Sequence, residues 1–423
     1  MNLVLSVSHS CPARTLPGLS YAVSESPLPQ TGWLFGIRPL VLDQLVPQGI
    51  PEAEALSRLR EEARRLGYDS LRLLSAAENA DLFRDSMREA TPEGAVPAAF
   101  ECPLTPDCPL LPLRMHPAFR GGSLTPWGGE KLRTVYGKPL LEVPTGESLE
   151  ASCVPELNST DDAGTPLQTL KDRYGRSFCG FYHDQAFPLL LKLIDARDRL
   201  SVQVHPDDAY ARSHENGKLG KTEAWLILDA PEGSELVYGI REGVTMEELR
   251  RACEKGAAVE PLLRKVKVRP GDVCYIPAGC VHAIGSGILL YEIQQSSDIT
   301  YRFYDWDRTD SQGRRRALHL AQALDVTDLS LQPSPIHAPE GVCVRVLNET
   351  YFTLDLLHPA DSLEMPEIRD FGFLTGLEGT LEVCFACQSM NLAAGETLYI
   401  PASAPALTLR GQGRAALSMP RHA

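Results

Sequence analysis

Apolar residues recur with a helical period early in the chain only between about Pro51 and Leu66. Pro51, Glu52 and Glu54 open this predicted amphipathic helix and Gly67 closes it. A strand is expected at Ser70–Leu74, so residues 1–90 read as a small α/β appendage of unassigned role. Prolines at 92, 97, 103, 106, 109, 112 and 117 then predict an extended linker over residues 91–114. From about Met115 the pattern shifts to short apolar runs, Leu200–Val204, Ala224–Asp229, Asp272–Ile276 and Ile288–Gln294, separated by Gly/Pro turns. That spacing marks an antiparallel sandwich or barrel, giving a mainly β fold. Helical pieces are expected at Thr245–Val266 and Arg314–Leu324.

The end of the chain repeats part of its middle. Pro270–Ala278 and Ala394–Ala402 align without a gap through a shared Tyr-Ile-Pro-Ala ending, an internal repeat of one turn and one strand. Phe352, Leu354 and Leu356 alternate as in a strand. In the same register His282 falls on Ala406, and the second unit has no cluster of ligand-type residues. A first β unit at 115–330 is therefore expected to carry the chemistry, and a second, at 331–423, to be structural.

Candidate chemistry lies between residues 197 and 308. Gln203 and His205 are two apart on a strand and share a face. Lys221 and Glu223 repeat that spacing just before an apolar strand, and His282 follows the turn Pro277–Cys280. Each feature has a plainer reading alone: a half-exposed strand pair, a solvated ion pair, a loop histidine. Together, two nitrogens and two oxygens from Gln203, His205, Glu223 and His282 suit a borderline divalent ion such as zinc.

The stretch from about 115 to 325 resembles the type I mannose-6-phosphate isomerases, a family of the cupin fold. Matches run in order through Trp127–Gly129 with Lys131 and Leu132, Thr145–Ser148, Phe187–Lys192, Leu200–Asp208 and Lys221–Trp225. They continue through Tyr275–His282, Tyr291–Asp298, Thr300–Arg308 and Leu318–Asp325. The resemblance implies two cupin or jelly-roll barrels and one zinc ion held by Gln203, His205, Glu223 and His282. It further implies an isomerase acting on a sugar phosphate through a cis-enediolate, with Arg302, Lys221, Asp298 and Glu292 catalytic. Trp127 is expected to line the substrate site, and Lys131 and Arg308 are candidate phosphate contacts. The chain departs from the family at Leu149, often Trp there, at Cys153, at Gly220, which is histidine in many members, and in the loop Gly121–Pro126. A non-catalytic sugar-phosphate-binding or regulatory cupin is the alternative reading, and an iron or manganese cupin oxidoreductase a more distant one.

Composition narrows the partners. A formal charge of −14 argues against a nucleic-acid partner. No apolar run is long enough to span a bilayer, and the N-terminus lacks the basic region of a signal peptide. Eleven cysteines without a framework suit a reducing cytoplasm. The lone pair Cys384 and Cys387 is expected to be buried core rather than a metal or redox site. Oligomeric state is left open between monomer and homodimer.

Overall fold

Alternation along the central strands produces sheets stacked face to face, and the computed structural model shows how they are filled. It describes residues 110–139, 144–309, 312–385 and 388–421, with the backbone of four short N-terminal strands. Those strands, Leu3–Leu5, Arg14–Thr15, Tyr21–Ser24 and Arg72–Ser75, form one antiparallel sheet. The last lies close to the strand expected at Ser70–Leu74; the helix expected at Pro51–Leu66 lies outside the described residues.

Between Ala118 and His337 two antiparallel sheets face each other. The seven-stranded central sheet has the order Ile336–His337, Asp272–Ile276, Glu223–Asp229, Ile288–Gln295, Leu189–Ala196, Thr145–Ala151, Ala118–Gly121. The five-stranded cover sheet has the order Leu263–Lys267, Glu235–Ile240, His282–Ala283, Val202–Val204, Tyr301–Tyr304. A third, C-terminal sheet of nine strands is built around the long strand Gly372–Phe385. The protein is mainly β, as the pattern implied.

Leu189–Ala196 and Ile288–Gln295 are buried along their whole length because the central sheet is covered on both faces. Leu191, Leu193, Tyr291 and Ile293 point outward and pack against Phe352, Leu354, Phe373 and Tyr399 of the C-terminal sheet. Ile194, Trp225, Ile227 and Leu290 point inward and meet Leu236 and Tyr238 of the cover sheet. The cover sheet's outer face, with Val202, Val204, Ala283, Tyr301 and Phe303, is sealed by Leu249, Val259, Ala323 and Leu324 from helical segments. Side chains at the intervening positions therefore have one destination, the space between the two facing sheets.

Three expected elements differ from those observed. The helix expected at Thr245–Val266 ends early: Met246–Cys253 is α-helix, Gly256–Leu262 is 3-10, and Leu263–Lys267 is the cover sheet's edge strand. Pro261 and the β-branched Val266 account for the change. The second helix starts later than expected, at Leu320–Val326. Leu113–Met115, which straddles the end of the expected linker, pairs with Thr397–Tyr399 as a strand of the C-terminal sheet. Cys384 is partly exposed on its strand, not core, because that end of the strand has one open face; Cys387 lies outside the described residues.

The repeated segment shows the same local chemistry twice. Gly271 and Gly395 take positive φ values of 88° and 82°, as their tight turns require. Asp272 accepts a hydrogen bond from the Arg269 N–H, and Glu396 accepts one from the Ala393 N–H, each clamping its turn.

One polar group is buried where the two β units meet. Glu150 is fully buried, 2.7 Å from Lys138 Nζ, and accepts hydrogen bonds from Ser148 and from Thr397 of the C-terminal sheet. Removing one partner strands a buried charge. We expect Glu150→Ala to cost about 3–5 kcal/mol in urea unfolding, and the double replacement Lys138→Met, Glu150→Leu to recover most of it. A single-variant loss no larger than that of an exposed ion pair would contradict this role for the contact.

Candidate active site

Inward-facing residues of the cover sheet form a row. Tyr238 lies opposite His282, His282 opposite Gln203, and Gln203 opposite Arg302 on successive strands. Each of the last three is flanked by apolar residues that pack into the outer layer, so its polar side chain turns inward. The central sheet supplies a facing row in which Trp225 pairs with Glu292 and Glu292 with Lys192. Trp225 meets His282 edge-on across the gap, with ring centroids 5.4 Å apart.

His205, Glu223 and His282 converge at the floor of this space, with potential ligand atoms all within 4.8 Å of one another. Glu223 Oε1 is 3.3 Å from His282 Nε2, and its Oε2 is 3.5 Å from His205 Nε2. Gln203 joins them through its amide, 3.3 Å from His282 Nε2. Turning that amide over would present its oxygen to the same point. His282 Nδ1–H donates to the Cys280 carbonyl at 2.9 Å, which fixes the tautomer and leaves Nε2 free to coordinate. Lys221 Nζ completes the cluster, 2.8 Å from Glu223 Oε2 and 3.0 Å from His205 Nε2.

The electrostatics suit a cation. Burial, then Lys221, pushes His205 down to about 3, and burial lowers His282 despite the neighbouring carboxylate. Burial opposes the charge on Glu223, but Lys221 and the two imidazoles outweigh it and hold the carboxyl well below its usual range. Two neutral imidazoles and one carboxylate are the protonation states a divalent metal needs. Apart from the Lys221 ammonium beside Oε2, neither Glu223 oxygen has a hydrogen-bond partner, an expensive arrangement for a fully buried carboxylate unless another cation shares it. The donor set fits a metal ion.

A pocket opens from this floor between the sheets. Its walls include Gln203, Lys221, Trp127, Glu292, Asp298 and Arg302. Glu292 is held by the Trp225 indole N–H at 2.9 Å and Lys192 Nζ at 3.0 Å. Asp298 pairs with Lys218 at 2.7 Å; burial opposes its charge, but Lys218 keeps its carboxyl below the usual value. Arg302 is anchored by hydrogen bonds to Ser201 Oγ and the Ala317 carbonyl.

The structure places the two candidate phosphate contacts, Lys131 and Arg308, apart from the residues that line the pocket. Lys131 lies outside the pocket, its ammonium bonded to Asp229 and the Gly287 carbonyl beyond the far end of the strand that begins at Glu223. Arg308 donates to the Arg199 carbonyl and lies near Asp198 and Asp305. Both were drawn from matched segments, and the backbone turns each side chain away. Sequence reasoning gave no role to four charged pocket residues: Arg120, Glu147, Lys192 and Arg316. Lys192 and Glu147 carried a readable signal, since a charge at an inward position of a fully buried strand needs a partner or a task. Arg120 and Arg316 had none.

Gly220 has no room for a side chain. A β-carbon there would lie 2.5 Å from the Asp207 carbonyl carbon, so the chain's tight passage beside residues 206–208 requires glycine.

This arrangement has close counterparts. The model of the type I phosphomannose isomerase catalytic domain matches residues 144–227. A mannose-6-phosphate isomerase of Streptococcus mutans is 39% identical over 283 residues, covering 65% of this chain and 88% of its own. A probable mannose-6-phosphate isomerase of Bacillus subtilis is 35% identical over 319 residues, covering 73% of this chain and 99% of its own. The chain belongs to the mannose-6-phosphate isomerase family. The crystal structure of the mannose 6-phosphate isomerase from Bacillus subtilis agrees with this family's fold here, at 32% identity and a TM-score of 0.68 over 73% of this chain and 99% of that one. Among the described residues no helix is long and apolar enough to cross a membrane.

The buried histidines set a pH dependence for the metal-free protein. His205 has an ordinary value of 6.5 and a folded value of about 3. Between these the unfolded chain binds a proton that the folded chain does not, so stability falls as pH falls. His282 and Glu223 shift in the same direction. Chelated protein should lose thermal stability as pH is lowered from about 6.5, and His205→Gln should flatten that slope. An unchanged slope in the variant would assign the acid sensitivity elsewhere.

Proposed function

We propose that this chain interconverts mannose 6-phosphate and fructose 6-phosphate as a metal-dependent aldose–ketose isomerase. One observation carries the reading: the Lys221 ammonium touches Glu223 and His205 of the buried His205–Glu223–His282 cluster and lines an open pocket that Arg302 also lines. A binding module would need a shaped pocket but not a proton donor in contact with a metal-type cluster.

Gln203, His205, Glu223 and His282 are the residues that would hold the metal, and their mixed nitrogen and oxygen donors favour zinc. When bound there, the ion supplies Lewis acidity toward the oxygens on the carbons that react. The reaction moves a proton between C1 and C2 through a cis-enediolate and needs no redox cofactor. Lys221 is placed to move a proton at a substrate oxygen. Glu292, fixed between Trp225 and Lys192, is the candidate base for the carbon-bound proton. Asp298, kept ionised by Lys218, is the candidate for accepting the hydroxyl proton in ring opening. Arg302 orients the substrate with its fixed guanidinium fork, and Trp127 closes one wall. Gly220 supplies no side chain, so proton transfer in this chain falls to the residues just named. The described cysteines are all unpaired, which supports the reading of a reducing cytoplasm.

A coupled assay with mannose 6-phosphate tests this. Turnover should be lost on chelation and restored by zinc. Lys221→Ala should lower kcat by roughly 10²–10⁴, the usual contribution of a positioned acid or base. Metal-loaded, folded protein without turnover would leave a sugar-phosphate-binding protein instead.

A further inference from the structure

The charges around the pocket do not cancel, and the excess is local. Arg120 is paired with Glu147 at 3.1 Å, Lys192 with Glu292 at 3.0 Å and Lys221 with Glu223 at 2.8 Å. Arg302 differs. Its Nε donates to Ser201 Oγ at 3.1 Å and its Nη1 to the Ala317 carbonyl at 2.9 Å, both neutral acceptors. Among the described residues no carboxylate lies within ion-pair distance of it.

Arg316 lines the same pocket. Its Nε and Nη2 are taken by the two oxygens of Asp305, at 2.7 and 2.5 Å, which holds the guanidinium plane rigid and leaves Nη1 outside that fork. Asp305 is not its private partner, since Arg308 also approaches one of the oxygens to 3.6 Å. The residue that accepts from Arg302 is Ala317, so the two guanidiniums are tied together through one backbone step. Burial, then the charge of Arg316, holds Arg302 below the usual arginine value. Two like charges kept this near one another, each with part of its donor set uncommitted, describe a receptor for a compact polyvalent anion.

We infer that Arg316, positioned by Asp305, acts with Arg302 to bind the phosphate group of the substrate. This rests on the sugar-phosphate reading of the site. It replaces Lys131 and Arg308, both of which lie outside the pocket. It also gives the substrate a direction, with its phosphate toward the Arg302–Arg316 wall and its reacting carbons toward Lys221 and the metal-type cluster.

The test uses the full-length, metal-loaded protein and inorganic phosphate as the probe. Phosphate should raise the melting temperature of the wild type and compete with mannose 6-phosphate. Arg316→Ala should weaken both effects about tenfold or more, as loss of a charge-assisted hydrogen bond implies. KM should rise by a similar factor while kcat changes by less than about threefold, a split that a general structural defect would not give. Arg316→Lys keeps the charge but cannot reproduce the fork on Asp305, so it should fall between the two. Phosphate affinity equal to wild type in Arg316→Ala overturns the inference, as does a loss of kcat with phosphate binding intact. Should Arg316→Ala not fold, unchanged phosphate affinity in Arg316→Lys is equally decisive against it. Phosphate binding that depends on Arg316 in a protein that does not turn over mannose 6-phosphate would sink the isomerase reading and leave the anion site standing.

Discussion

The charge on Glu223 governs the rest of the molecule. A fully buried carboxylate is unfavourable unless opposite charge or hydrogen bonds surround it, and apart from Lys221 its two oxygens have no hydrogen-bond partner. Lys221 compensates part of that cost from one side, and the two imidazoles direct lone pairs at the same point when neutral. The remainder is a site for a cation. Such a cluster can exist only if separate strands arrive in fixed register, because residues 203 and 205, 223, and 282 come from three stretches of the chain. The facing sheets are the means by which that register is held.

The second β unit acquires a purpose from the same constraint. The central sheet bears the site on its inner face, so its outer face needs a cover, and the C-terminal sheet provides one with Phe352, Leu354, Phe373 and Tyr399. Tyr291 illustrates the coupling. It is the immediate neighbour of Glu292 on one strand, yet its hydroxyl lies 2.7 Å from Ser418 Oγ in the C-terminal unit. A C-terminal sheet with no metal-type cluster among its described residues therefore still fixes the strand that presents Glu292.

What could be read from the chain followed physical periodicity. Asp272–Ile276 has the bounds expected of it, and the strands around Ala224–Asp229 and Ile288–Gln294 are within a residue, because turn residues mark their ends. Gln203 and His205 announced a shared face through their spacing. Other boundaries were less legible: the helix beginning at Met246 ends at Cys253 and a strand begins at Leu263, although the pattern reads as one helix through the Gly256 and Pro261 that separate them. Long side chains were the least legible. Lys131 and Arg308 sit in stretches that match the family, but a lysine or arginine reaches several ångströms in any direction. Which direction is set by acceptors such as Asp229 or the Arg199 carbonyl that sequence does not bring near. Arg316 was invisible for the complementary reason, since its partner Asp305 and its neighbour Arg302 define it only after folding.

How a chain with a formal charge of −14 holds an anion follows from distance. At physiological salt, charges more than about 8 Å away are largely screened, so the net charge weighs little against groups in contact with the ligand. Within that radius the pairing of each cation matters more than the number of cations. A lysine matched with a carboxylate holds its partner in place, as Lys192 does for Glu292, whereas Arg316 gives only Nε and Nη2 to Asp305 and keeps Nη1 outside that pair. An arginine held only by neutral oxygens keeps its full charge while losing its freedom to move, so a ligand that meets it pays little in lost side-chain entropy. Arg302 is held in that way. Under the proposed phosphate contact, a neutral-anchored Arg302 and an Arg316 with one donor outside its carboxylate pair would let an acidic protein hold an acidic sugar without a broad positive surface.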